Sequence, residues 1–519
     1  MNEFKLKKQV VKNFLNVDKN LDINIERMDA AFQDCGDFVK RKFPIGEKKD
    51  VWLYICYIDM LTNADTVDVN IMSRLMLQIQ NLSPNLTHIK SGLYDVLKDG
   101  GITTADLQDS DNIEDICTAI MCGDTVLFVD GAEKAVVVST KGFPNRGVQS
   151  ADTEVVVQGS KEAFSEVFRF NTALIRRRIR DTKLKVVQVR SGRRSQTDVG
   201  IMYLDDVVRK DVLNDLLARI ENIDIDAVLD SGTMEQFIED DWISPFPQAQ
   251  ITERPDKAST AILEGRIVII VDNSPFVLIV PATLNTFFQS PEDYYQRWHI
   301  TSLVRLIRYM AAAIAIGLPG LYIATTVYHP SMIPMMLVLK MAGARENIPF
   351  PAVVEILIME LAFELLREAG IRLPQAVGST MGIVGGLIIG QAAVEAGLVS
   401  PIVVIVVALT GICSFAIPHV SLVSGFRIMK YMVILFSAIL GLYGFWLAAL
   451  LILIHLVCLK SFGIPYLYPF SSGGINGYSD FKDTLFRLPL FNIKKRPIFA
   501  EPSQSKRMGD DTGHIREKE

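Results

Sequence analysis

The chain of 519 residues predicts an α+β fold, with two cytoplasmic α/β subdomains followed by an α-helical multi-span membrane domain. Three observations carry that expectation. The length exceeds one ordinary domain of about 100–200 residues. The 53 Lys and Arg and 59 Asp and Glu residues lie mostly before Arg308, whereas Tyr309–Ser461 is far more apolar and lifts the mean hydropathy to +0.26. In the polar part, strand patterns alternate with helix patterns, as in a mixed α/β domain.

The elements read as follows. Residues 1–50 are polar, and Val10, Val11, Phe14, Leu15 and Val17 have the spacing of an amphipathic helix, so this stretch is expected to be an N-terminal helical segment. The opening MNEFKLKKQVVKNFL has no apolar run and is not expected to act as a signal peptide. The first α/β subdomain is expected over 51–145. It holds a β-prone run at 51–58, a helix over Asn70–Leu82, and a hairpin of 125–129 with 135–139 around Asp130-Gly131.

A second subdomain is expected over 146–290. Thr153–Val157 reads as a strand and Ser160–Arg180 as a helix. Lys185–Val189 and Gly200–Leu204 read as strands, and Val207–Ile220 as a helix. Ala227–Leu229 and Ala261–Leu263 read as short strands, and Arg266–Val271 with Phe276–Val280 as a hairpin.

The membrane domain is expected over 291–460. A span takes about 20 mostly apolar residues. Four segments qualify, near 309–327, 376–394, 401–423 and 431–459. Arg297, Arg305 and Arg308 precede the first of them, which places the N-terminal region in the cytoplasm by the positive-inside rule. Arg305 and Arg308 are expected to snorkel to headgroups. Residues 351–373 are dense in apolar residues but carry Glu355, Glu360, Glu364, Arg367 and Glu368. Charges are costly at the bilayer centre, so a re-entrant or interfacial helix with a wet polar face is the first reading and a fifth span the alternative. A cytoplasmic tail is expected over 461–519, disordered after 500.

Composition excludes several functions. A net charge of −6 and a pI near 5.7 argue against a nucleic-acid protein. The six Cys are scattered without a CxxC, which argues against a zinc site or a disulfide framework. The GxxxxGK[ST], GxSxG, HExxH and GxGxxG patterns are all absent, so neither an enzyme nor a cofactor is expected.

One segment is more informative. Gly378, Gly382, Gly386 and Gly390 recur every fourth residue, a tandem GxxxG run that lets another helix approach closely. It suits packing within the chain or between copies around an axis. About 100° away, Thr380, Val384, Leu387, Gln391 and Glu395 form a line, polar at its ends and apolar in the middle. A ring of such helices would enclose a water path with an apolar constriction, and a carboxylate at its mouth favours cations. The bland alternative is that this line faces lipid. Glu355, Glu360 and Glu364 could serve as an ion relay or as the wet side of an interfacial helix.

Three blocks carry a resemblance: KEAFSEVFRFNTALIRRRIR at 161–180, ERPDKASTAILEGRIVIIVDNSPFVLIVP within 252–308, and PQAVGSTMGIVGGLIIGQAAVEAGLVSP at 374–401. Over about residues 50–490 the chain resembles the A subunits of bacterial spore germinant receptors, the GerA type. The resemblance implies a multi-pass protein of the spore inner membrane with its N-terminal region in the cytoplasm. It also implies a transporter-like B subunit and a lipoprotein C subunit as partners, and a homo-oligomer, plausibly a pentamer. In that family the assembly senses nutrients and releases monovalent cations, and the glycine-rich helix matches the proposed pore-lining element. A solute transporter and a non-conducting scaffold stand as the alternatives.

Overall fold

The computed structural model describes residues 16–45, 51–77, 107–143, 154, 156–372, 388, 390–471 and 478–509. They fall in two compact units. The first draws on the chain up to Ile238, on Ile251–Pro281 and on Lys495–Gly509; the second comprises Glu239–Gln250 and Ala282–Lys494.

The first unit holds two five-stranded sheets. Helix α1 (Leu21–Ala31) starts where the Asn20 side chain accepts from the Asp22 amide, and it buries Leu21, Asn24 and Met28 on one face. Strands β1 (Phe38–Ile45) and β2 (Val51–Ile58) form an antiparallel pair, followed by a helical turn ending in α2 (Ser73–Leu77). Then come β3 (Leu107–Ser110), α3 (Ile113–Met121), and the hairpin of β4 (Thr125–Val129) with β5 (Ala135–Val138). The strand order is β1-β2-β4-β5-β3. Alternate residues serve opposite faces. Tyr54, Cys56, Val126 and Phe128 join one apolar cluster, whereas Leu53, Ile55, Leu127 and Val129 join another.

The second sheet repeats this plan. Helix α4 (Phe168–Arg176) precedes β6 (Leu184–Ser191) and β7 (Thr197–Leu204), followed by α5 (Lys210–Glu221) and α6 (Ser231–Ile238). After β8 (Gln250–Thr252), helix α7 (Pro255–Leu263) leads into β9 (Ile267–Val271) and β10 (Val277–Val280), in the order β6-β7-β9-β10-β8. The register repeats as well. Thr125 faces Val138 as Ile267 faces Val280, and Phe38 faces Ile58 as Leu184 faces Leu204. The sequence carries the same duplication. Thr118-Ala119-Ile120, Gly123, Val126, Val129 and Asp130 in the first half match Thr260-Ala261-Ile262, Gly265, Val268, Val271 and Asp272 in the second. Gly123 and Gly265 both end their helix with a left-handed backbone, φ 90° and 91°, a conformation that suits glycine.

The halves meet through a buried ion pair. Arg176 Nε and Nη2 donate to Asp37 at 2.7 and 2.9 Å, with side chains 0% and 1% exposed. The Gly36 amide donates to Val186 O and the Val186 amide to Asp34 O, so the edge strands are tied by their backbones too.

The second unit is helical. Helix α8 (Trp298–Ile323) continues through a wider turn to Tyr328 and contains Pro319; α9 (Met335–Arg345), α10 (Ala352–Arg372), α11 (Pro401–Phe415) and α12 (Val420–Cys458) follow. Helix α12 is folded back on itself at Gly441, where φ is 61° and ψ −134°. Both of its ends meet one ring, since Phe246 lies 6.0 Å from Phe426 and 5.8 Å from His455. At the bend, the Tyr328 hydroxyl donates to Ala438 O at the far end of α8. The arms, 420–440 and 442–458, are thus an antiparallel hairpin. Helix α10 begins beside Tyr322 and Ile323 in one apolar cluster and descends toward Arg427, antiparallel to α8.

Several expectations are corrected. Residues 38–45 form a strand, so the N-terminal segment is not wholly helical and the first sheet begins before residue 51. Phe168–Arg176 is a shorter helix than Ser160–Arg180, and Ala261–Leu263 is the end of α7 rather than a strand. Ala227–Leu229 is not a strand. The 401–423 segment breaks at Ala416–His419, and 431–459 bends at Gly441. In the tail, residues 478–509 fold onto the rest of the chain rather than ending their order at 500. Ala500 bridges Val208, Lys495 bridges Lys506, and Arg496 donates to the carbonyls of Leu263, Gln504 and Lys506.

Candidate functional site

Among the described residues, two helical stretches are long and apolar enough to cross a membrane, Trp298–Tyr328 and Val420–Cys458, while Pro401–Phe415 is shorter. The candidate site lies where α10 meets α11 and α12. The Phe363 ring of α10 packs onto the α11 backbone at Gly411, where a Cβ would sit 2.5 Å from the ring.

Of the four carboxylates of α10, Glu355, Glu360 and Glu364 are met by cations, and Glu368 is exposed. Glu355 is 0% exposed. Its Oε1 accepts from Arg345 Nε at 3.1 Å, and its Oε2 accepts from the Ser400 amide at 2.8 Å, at the start of α11. Glu360, 1% exposed, pairs with Lys430, itself 6% exposed. Glu364 accepts from Arg427 at 3.2 Å and from Arg367 at 2.9 Å. The wet-face expectation is therefore corrected for Glu355 and Glu360, because a buried carboxylate must be paired, and the half-buried Glu364 is matched by cations as well. Lys430 and Arg427 lie one turn apart on α12, as Glu360 and Glu364 do on α10. Two antiparallel helices thus present two rungs of opposite charge.

A second charged cluster sits at the start of α8. Arg305, 1% exposed, donates to Asp293 Oδ2 at 3.0 Å and to Asp483 Oδ1 at 2.7 Å, and Arg308 donates to Asp293 at 2.8 Å. Arg487 donates to the carbonyls of Asp293 and Gln296. Burial lowers the Arg487 pKa from its ordinary value, against the opposing pull of Tyr294 and Asp483. Arg305 and Arg308 therefore do not snorkel; acids from the flanking segments hold them inside the fold.

Of the predicted pore and packing residues, Gly378, Thr380, Gly382, Val384, Gly386 and Leu387 lie outside the described residues. Gly390 is buried, with room for a Cβ only 3.4 Å from Val404. Gln391 and Glu395 are exposed one turn apart, and Gln391 Nε2 donates to Glu395 Oε1 at 2.9 Å. Arg345, Ser400, Lys430 and Arg427 were not singled out as partners of α10 in the sequence. Their separation along the chain hides them, and the one available signal was that buried acids demand cations. Among the described residues, no group of three or more His, Cys, Asp or Glu could hold a metal ion.

These features define a class: a duplicated α/β protein carrying apolar helices of membrane-crossing length, with charges sealed between them. The chain belongs to the Bacillus/Clostridium GerA spore germination protein family, whose pattern matches residues 26–499. It is 40% identical over 492 residues to spore germination protein KA of Bacillus subtilis (strain 168), covering 94% of this chain and 88% of that one. It is 36% identical to spore germination protein B1 of the same organism, covering 95% and 99%. The uncharacterized membrane protein YfkQ of that organism is 39% identical over 93% of this chain and 91% of its own. A crystal structure of the N-terminal domain of the A subunit of the Bacillus megaterium spore germinant receptor GerK3 shares 31% identity over 52% of this chain and 97% of that one, with a TM-score of 0.40.

Proposed function

We propose that this chain is the A subunit of a spore germinant receptor, a multi-pass membrane protein without enzymatic activity that triggers germination in response to nutrients. The observation that carries the reading is near full-length similarity to several spore germination proteins. In this reading the chain sits in the spore inner membrane with its α/β unit in the cytoplasm, and it works beside a transporter-like B subunit and a lipoprotein C subunit. Helix α8, the antiparallel α10 and the folded α12 support more than one pass.

Copies of the chain assemble into a homo-oligomer, a pentamer in this reading, around the glycine-rich segment 376–394. Thr380, Val384, Leu387 and Gln391 line a monovalent-cation path, and Glu395 stands at its mouth. Nutrient binding shifts the population toward an open ring, and the apolar constriction wets. Trimming the constriction tests this. Val384→Ala should release monovalent cations from resting spores. Unchanged resting ion content, with the protein at its normal level, would remove the conduction step and leave a signalling scaffold. Saturable solute uptake by a detergent-stable monomer would favour a transporter instead.

A further inference from the structure

The segment Glu239–Gln250 belongs to the helical unit and makes a tight turn whose outward tip is apolar. Gln248, 1% exposed, holds the turn from inside. Its Oε1 accepts from the Asp240 and Asp241 amides at 3.0 Å each, and its Nε2 donates to Asp241 O at 2.6 Å. The two acids engage amides as well. Asp241 Oδ1 accepts from the Ile243 amide at 3.1 Å, and Asp240 Oδ2 accepts from the Phe462 amide at 2.6 Å. This frame presents Trp242 outward, 82% exposed, beside Ile243, 72% exposed. Single exposed apolar residues are ordinary. An adjacent Trp and Ile on so firmly tied a turn are not, because a rigid turn cannot fold them away from water.

The place of the turn says what covers it. Ser244 Oγ and His455 Nε2, in the last turn of α12, are hydrogen-bonded at 2.8 Å. On the other arm, a Cβ on Gly425 would lie 2.6 Å from Pro245 O, and Phe246 stands between Phe426 and His455. The turn is therefore level with the open end of the α12 hairpin, opposite the bend at Gly441. At about 1.5 Å per residue, the arms 420–440 and 442–458 each come close to the thickness of a hydrocarbon core, ~30 Å. With the bend at one edge of that core, Gly425 and His455 lie near the other. Ile428 on the first arm and Ile454 on the second are exposed at this end too, so the tip is level with surface that lipid covers. Such a boundary suits Trp, whose rings enter the acyl region while the indole N–H stays with the headgroups. A second copy fits less well, since two side chains on one tip fall far short of the roughly 800 Å² that each partner gives to a stable interface.

We propose that the Trp242–Ile243 tip is an interfacial anchor, seated at the boundary between the headgroups and acyl chains of a lipid bilayer. The anchor fixes the depth of the α12 hairpin. The indole N–H resists entry into the core and the rings resist exposure to water. The turn passes that preference to both arms through Ser244, Pro245 and Phe246. The inference rests on the reading of α12 as membrane-embedded and on no assignment within 376–394.

Tryptophan fluorescence tests it on the full chain in vesicles of phosphatidylethanolamine and phosphatidylglycerol. The lipids carry bromine either near the headgroup or near the methyl end of the acyl chains. Trp242→Phe and Trp446→Phe are each compared with the parent, so that each difference spectrum reports one indole. Trp446, 65% exposed on the second arm, reports the span itself. Bromine near the headgroup should cut the Trp242 emission about twofold or more, bromine near the methyl end should cut it less, and iodide on both sides of the membrane should have little effect. Where Trp242→Phe does not reconstitute, Trp242→Tyr supplies the same difference. Trp242 emission open to iodide and insensitive to bromine, with Trp446 still quenched by bromine, would overturn the anchor and keep the span. Trp242 emission sheltered from both quenchers would overturn it in favour of a protein cover, such as a second copy. Trp446 open to iodide and untouched by bromine would remove the span and the anchor together.

Discussion

The two halves of the α/β unit share a strand order, a register and a left-handed glycine after the same helix, yet they differ in what closes over that glycine. In the first half a Cβ on Gly123 would lie 2.7 Å from Leu61 O, on the segment that leaves β2. In the second, a Cβ on Gly265 would lie 2.6 Å from the Ala500 backbone, supplied by the C-terminal tail. Duplication kept the backbone solution, because a helix running straight into a hairpin needs the same turn each time. It left the cover free to diverge. The first half covers its glycine with its own chain, whereas the second draws on chain from the far end of the sequence.

The joint between the halves offers the largest effect. Arg176 is wholly buried, and Asp37 is its matched acceptor. Arg176→Met should cost about 3–5 kcal/mol, because it strands the Asp37 carboxylate in the interior. Arg176→Met combined with Asp37→Leu should recover most of that loss. Urea unfolding of the full chain in detergent, followed by a probe in the α/β unit, checks both. A double variant no better than the single would mean that the pair holds the halves by more than its charge.

The glycine pair is next. Alanine in a left-handed backbone costs about 1–2 kcal/mol wherever it stands, so Gly123→Ala and Gly265→Ala should destabilise by similar amounts. Their consequences should differ. At Gly265 the obstructing backbone belongs to the tail, which can leave. Trypsin should then cut after Lys495, next to Arg496, whose guanidinium is otherwise held by the carbonyls of Leu263, Gln504 and Lys506. Gly123→Ala should leave that bond as resistant as in the parent. Equal cleavage in both variants would erase the distinction between the halves.

This difference also shows what sequence can carry. The hairpins were legible because dense β-branched runs flank Asp-Gly and Asn-Ser turns, a local signal. Ala261–Leu263 was misread because three apolar residues do not separate a strand from a helix end. The repeat itself was present as Thr118-Ala119-Ile120 and Thr260-Ala261-Ile262, and a search for self-similarity would have found it before any element was assigned. The fold-back at Gly441 was hidden because both arms are apolar and the bend needs only one residue. The carboxylates of α10 were visible as candidates, but their cations come from residues as distant as Lys430, which no periodicity reveals. The glycine-rich line at 376–394 is legible only as a spacing.

The smallest effect lies on α3 and α7, where the halves place different atoms in one position. Thr118 and Thr260 both donate to the carbonyl four residues back, at 2.9 Å. Beside them, Cys117 matches Ser259, and the Ser259 hydroxyl donates to Pro255 O at 2.7 Å. Cys117 is buried, and burial, aided by Glu114, pushes its thiol up to about 11. At pH 8 the native protein should therefore leave Cys117 unalkylated under conditions that modify it after denaturation, as mass spectrometry of peptides would report. Cys117→Ser should be nearly neutral, since a hydroxyl there can donate to the Ile113 carbonyl as Ser259 does to that of Pro255. Ser259→Cys should lose about 1 kcal/mol with its hydrogen bond. A thiol is a weak donor and a good apolar filler. The asymmetry of the two exchanges thus measures whether the second half relies on that hydroxyl or merely tolerates it.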